Sequence, residues 1–253
     1  MDSSPSPSAK SSKAPLWIAL GALLCVGLLG SVIALVIAVP TVAKVRGQAQ
    51  RTADSSSLRQ VVQASLIWAA AHGGQLPPVK LTSDGRPLGK ANATIHSVAA
   101  ALARDGGLNE AALWFVAADT GRAATDVDPE SLGEILDSEH RTIGSAFTRQ
   151  QVFAWDFVTG LTTDMPATTP MAWTRGLRID GTWDPTSGVY GGDGGYIAFL
   201  GGNVRHYHEL KTTPLHRADG IRTSNILETL PAGVRVVGSG PGSLHGSMGI
   251  ASD

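Results

Sequence analysis

His206 and His208 stand two residues apart in the run GGYIAFLGGNVRHYHEL, residues 194–210. On a strand, positions i and i+2 point the same way, so the pair could offer two imidazole ligands to a metal. The sequence sets no third ligand, because Glu209 points to the other side. A strand-edge position explains both rings without a metal, and that reading is preferred. Asp126 and Asp128 in DVDPE resemble part of a calcium loop, with oxygens at alternate positions, but the Gly and the distal Glu of a complete loop are missing. Helix-start chemistry accounts for Asp128 and Glu130. GGDGG, residues 191–195, lacks the Lys-Ser/Thr of a phosphate loop and precedes a strand. GSGPG, residues 238–242, puts Gly where a nucleophile elbow needs Ser, and GSLHG does not match either. Arg175, Arg178 and Asp180 sit among turn glycines, where they would either pair or line a surface. The expectation is therefore no catalytic residue and no cofactor. Calcium at Asp126 and Asp128, or a metal at His206 and His208, are the alternatives.

Charge excludes other classes. Charged residues make up 16% of 253, and the formal net charge is −1. Phosphate backbones find no basic surface here, so nucleic acid is not an expected partner. Cys25 is the only cysteine, which rules out an internal disulfide and a Cys-based zinc cluster.

The elements that must position these residues begin with an uncharged stretch, residues 14–43. About 20 apolar residues cross a hydrocarbon core. A secretory signal has an apolar core of roughly 7–15 residues. The stretch is therefore read as a retained transmembrane helix that includes Leu16, Trp17, Leu23 and Val39. Gly21, Gly27 and Gly30 would permit close helix packing, and Pro40 lies near its end. A helical pattern continues, with Leu58, Val61, Val62, Ser65 and Trp68 on one face, until Gly73-Gly74 and Pro77-Pro78 stop it. Continuous from about residue 16 to 72, such a helix would be roughly 85 Å long at about 1.5 Å per residue.

Beyond it the pattern predicts helices over 95–105, 128–139 and 224–230. Strands are expected at 151–158, 171–177, YIAFL and NVRHYH, with LWFVA a further candidate. Helices first and clustered strands after argue for α+β with an antiparallel sheet. The domain plan is a disordered tail 1–13, the span 14–43, a helix extension 44–74, a globular domain 75–238 and a flexible Gly/Ser tail 239–253. Within the hairpin, a two-residue Gly201-Gly202 turn would pair Leu200 with Asn203, Phe199 with Val204 and Ile197 with His206. Ile197, Phe199 and Val204 would then share the core face.

The segment VPTVAKVRGQAQRTADSSSLRQVVQASLIWAAAHGGQLPP resembles the N-terminal helix of type IV pilin-like pseudopilins. The matching positions are Pro40, the run through Leu58, Arg59 and Gln60, the aromatic Trp68, and the closing Pro77. Phe199, Leu200, Gly201, Gly202, Asn203 and Val204 occupy the slot of that family's C-terminal Phe-Ala-Asp-Gly-His-Val hairpin. The likeness covers about 60 residues at the front and 15 at the back. The chain also departs from the family. No acidic residue lies between Asp2 and Asp54, so the prepilin cleavage motif is absent, and Gly191 and Gly201 stand where the family has a His and the Asp of its Asp-Gly.

The resemblance implies a pilin-like fold, with one long transmembrane-plus-extramembrane helix on a small antiparallel-sheet domain. It implies a non-enzymatic single-pass protein of the bacterial inner membrane, its C-terminal domain in the periplasm. The partners would be the bilayer and other pilin-like subunits of a type II secretion or type IV pilus-like assembly. The alternative is a membrane-tethered metal- or ligand-binding domain, possibly an enzyme, built on His206 and His208.

Overall fold

The computed structural model describes residues 47–77, 93–117, 119, 128–139 and 141–249. The chain divides into two compact units, Met1–Ala49 and Gln50–Asp253. Only residues 47–49, the start of a helix, are described in the first.

Helix α1 occupies residues 47–71. Asp54, Leu58, Val61, Val62, Ala64, Ser65, Trp68 and Ala69 are buried, while Arg59, Gln60 and Gln63 are exposed. That stripe follows the helical period and gives a one-sided helix with a polar outer face. Gly73 and Gly74, at φ 64° and 81°, turn the chain out of the helix, with Gly74 N bonded to Ala69 O. Leu76 N then donates to Leu161 O, which ties the exit to the sheet.

Two expectations are corrected here. Among the described residues no helix is long and apolar enough to cross a membrane. The helix that is described carries a polar face that a spanning segment would have to desolvate. The fold is therefore a mixed helix-and-sheet domain without the predicted membrane-to-domain helix, and the single-pass inner-membrane location is withdrawn with it. The stretch 14–43, including Leu16, Trp17, Gly21, Leu23, Gly27, Gly30, Val39 and Pro40, lies outside the described residues.

Helix α2, Ile95–Asp105, starts as expected. Thr94 accepts from Ser97 N, and Ser97 Oγ accepts in return from Thr94 N, a reciprocal cap. Gly106 closes it and lies so near α1 that a Cβ would meet Ala64 O at 2.9 Å. A four-residue helix α3, Ser145–Thr148, follows.

Strands β1 (Trp155–Thr159), β2 (Pro170–Thr174), β3 (Gly195–Phe199), β4 (Val204–Tyr207) and β7 (Arg235–Val237) form one antiparallel sheet in the order β4-β3-β2-β1-β7. Strands β5 (Leu215–His216) and β6 (Arg222–Thr223) pair separately. Every residue of β1 and β2 is buried, so both faces of the sheet centre are covered.

Three local readings differ from the structure. LWFVA is not a strand: Ala111–Trp114 is a single 3-10 turn whose Ala111 N bonds Gly133 O. A short apolar run is buried on all sides, so it carries no period to identify it. The helix expected over 128–139 is one 3-10 turn, Pro129–Leu132, because Gly133 leaves it at φ 65° and Glu134 and Leu136 enter isolated bridges. The hairpin register is shifted by one. Ala198 faces Val204, Ile197 faces Arg205 and Tyr196 faces His206. Phe199 N donates to Asn203 O and Gly202 N to Phe199 O, leaving a three-residue loop with Gly202 at φ 84°. One extra loop residue reverses the facing of β4, so Val204 and His206 do not share the side of Ile197 and Phe199.

Candidate functional site

The sheet edge at β4, the loop before β3 and the early turns of α1 meet in one polar cluster. Tyr190 Oη donates to Asp54 Oδ2 at 2.7 Å, and Tyr196 Oη donates to Arg51 O at 2.9 Å. Arg51 pairs with Asp193 at 3.3 Å and lays its guanidinium 5.4 Å from the Tyr190 ring centre. Tyr196 meets His206 edge-on at 5.1 Å, and His206 meets His208 at 5.2 Å. The loop is close-fitting, since a Cβ on Gly194 would strike His206 Cε1 and His208 Cα.

Burial dominates the electrostatics. It raises the Asp54 carboxyl above its ordinary range, an effect the Tyr190 hydrogen bond and then Arg51 partly offset. It also raises the Tyr190 phenol, with the Asp54 charge adding to the effect. His206 is held below the usual imidazole value, first by burial and then by His208. Its Nε2 is enclosed and has no hydrogen-bond partner.

The structure thus brings His206 and His208 together but supplies no metal centre around them. Among the described residues no group of three His, Cys, Asp or Glu side chains could hold a metal ion. Asp128 accepts from Glu130 N at 3.2 Å, the helix-start role. Asp126 lies outside the described residues. Leu58 and Trp68 are core, Pro77 is buried, and Arg59 and Gln60 are exposed. Gly201 and Gly202 form the hairpin loop with Leu200, and Asn203 closes it opposite Phe199.

A second centre lies in the sheet. Arg175 is fully buried and its guanidinium is fully used. Nε donates to Phe153 O at 2.9 Å, Nη1 to Ser187 O and to Pro241 O at 2.7 Å, and Nη2 to both Asp119 oxygens at 2.5 and 2.7 Å. The turn pairing expected for Arg175 instead joins its neighbours, with Arg178 on Asp184 and Asp180 on Lys211. Asp156, on β1, accepts from Ser243 Oγ at 2.5 Å and Leu244 N at 2.9 Å. Burial pushes its carboxyl up to about 6, against those two bonds.

Ser243 Oγ shares a proton with the Asp156 carboxyl and accepts from His245 N at 3.1 Å. Nδ1 of His245 is occupied by Gly238 N at 3.3 Å. The arrangement ties the segment from Gly238 to Gly249 to the sheet, although its Gly/Ser composition reads as a loose tail. Beside it lies a cavity of about 370 Å3 walled by Thr94, His96, Gln151, Ser239, Ser243 and His245. Another, about 350 Å3, opens between Met165, Pro166, Arg217, Glu228, Leu230 and Pro231.

Asp54, Tyr190, Asp156 and Ser243 were not singled out from the sequence. Asp54 had a visible signal: it falls four residues before Leu58, on the apolar stripe. Asp156 likewise interrupts the apolar run VFAWDFV. Tyr190 and Ser243 carried none, since their roles depend on distant partners.

No protein-family model, curated protein or solved structure matches this chain.

Proposed function

We propose that the chain is a non-enzymatic, pseudopilin-like assembly subunit that acts through protein contacts in a type II secretion or type IV pilus-like structure. The observation that carries this reading is the division of α1 into two faces. One face, through Leu58, Val62 and Trp68, is the floor of the domain core. The other keeps Arg59, Gln60 and Gln63 in solvent beside Ile67, which is 59% exposed. The same helix carries the pseudopilin-like residues, and an antiparallel hairpin, β3 and β4, follows it later in the chain, the order that family uses.

A photo-crosslinking residue placed at Ile67 or Gln63 in cells tests the reading. The expected product is a covalent adduct with a pilin-like subunit or a second copy of this chain. Adducts absent at both positions, while the protein is folded and expressed, would overturn it.

A further inference from the structure

Residues 238–249 run as a strap along the outer edge of β7. Val236 N donates to Ser247 O at 2.9 Å, Gly246 N to Val236 O at 3.0 Å and Gly249 N to Val234 O at 3.3 Å. The start of the strap is fixed to buried charge, through Pro241 O on Arg175 and through Ser243 and Leu244 on Asp156. Gly238 lies directly against the Asp156 carboxyl and the Ser243 hydroxyl, where any Cβ would collide with both.

Asp156 is 0% exposed. The cation acting on it is Arg175, whose donors are taken by Asp119 and by the carbonyls of Phe153, Ser187 and Pro241. An ionised Asp156 is therefore a buried charge that accepts two hydrogen bonds from the strap and, among the described residues, forms no ion pair, an arrangement that favours either neutralisation or access to water. When neutral, it keeps both contacts: one oxygen accepts from Leu244 N and the other donates its proton to Ser243 Oγ.

We propose that segment 238–249 is a proton-operated latch, closed over β1 and β7 while Asp156 is neutral and lifting when Asp156 ionises. Lifting hydrates the carboxylate, exposes the β7 edge and opens the cavity walled by Ser239, Ser243 and His245. The groups facing Asp156 are Arg175 beyond β2 and Ser243, Leu244 and Gly238 of the strap. His96, from α2, and His245 line the cavity beside it. His96 is kept below the usual imidazole value by burial, so it does not compete for protons above that value. Closed, Asp156 titrates at about 6 rather than 3.8. A gap of about two units corresponds to roughly a 100-fold shift in the latch equilibrium over the whole span from below pH 3.8 to above about pH 6, of which about 10-fold lies above pH 5.

Amide exchange on the full chain, with each rate divided by its intrinsic value at that pH, tests the latch. Protection of Val236, Gly246 and Gly249 is expected to fall by about 10-fold between pH 5 and pH 8. Protection of Trp173 and Ile197 should stay level. In Asp156→Asn the strap should be protected equally at both pH values. Equal protection in the wild type, or a fall that persists in Asp156→Asn, would overturn the proposal. If Asp156→Asn does not fold, Ser243→Ala serves instead. It removes a bond that favours the ionised carboxylate, so the midpoint should move upward, and an unmoved midpoint counts against the latch.

Discussion

Tyr190 donates its phenolic proton to Asp54 across 136 residues of sequence, at 2.7 Å. The bond fixes the loop before β3 to α1 and gives a buried carboxyl its partner. Tyr190→Phe would leave that carboxyl short of a donor at almost unchanged volume. The expected loss is about 1–3 kcal/mol, read as a lower urea midpoint with an unchanged slope. Adding Asp54→Asn should cost less in the Tyr190→Phe background than alone; additive losses would show that the two side chains do not act together.

Arg175→Met should be far more damaging. It strands the Asp119 carboxylate and three carbonyls inside the domain, so about 3–5 kcal/mol or outright loss of folding is expected. Circular dichroism and yield of folded protein measure this. A variant within about 1 kcal/mol of wild type would show that water replaces the guanidinium.

His206 and Asp54 make opposite contributions to acid stability. The folded-state value of His206 is lowered, so its contribution is present above the ordinary imidazole value of 6.5 and lost as pH falls toward the folded value. Asp54 is raised, so stability linked to it is gained as pH falls through its folded value toward 3.8. His206→Gln should therefore remove a fall in melting temperature just below pH 6.5, while Asp54→Asn removes a gain at lower pH. If neither variant changes the shape of the pH profile, the cluster does not govern it.

The hairpin separates backbone strain from crowding. Gly202→Ala places a side chain at φ 84° in open space and should cost about 1 kcal/mol through conformation alone. Gly202→Asn should cost less, since Asn tolerates that region better. Gly201→Ala has no such strain but meets Ala167 O at 3.0 Å, so its cost depends on whether the loop 165–169 yields. Thermal melts of the three variants rank them.

Much of the framework was readable because it is local. The spacing of Leu58, Val61, Ser65 and Trp68 gives α1 its buried side, and the strands β1 to β4 lie within runs rich in β-branched and aromatic residues, whereas the three-residue β7 was not anticipated. The hairpin was found but misregistered, since two adjacent glycines do not reveal that only the second adopts positive φ. The membrane reading rested on hydropathy over 14–43, whereas α1 shows a polar face that hydropathy upstream could not forecast. The strap was hidden most deeply: its Gly/Ser composition is that of a tail, and its anchor, Ser243 on Asp156, spans 87 residues.

Arg175 also constrains the order in which the chain matures. Its last acceptor, Pro241 O, is 66 residues downstream and only a few residues before the end of the described fold. A nascent chain lacking that stretch holds a guanidinium with part of its bonding unmet in the middle of an apolar sheet. Early release from the ribosome, or a stop codon between Val237 and Pro241, would thus leave the centre of the protein incomplete rather than merely shorten its end.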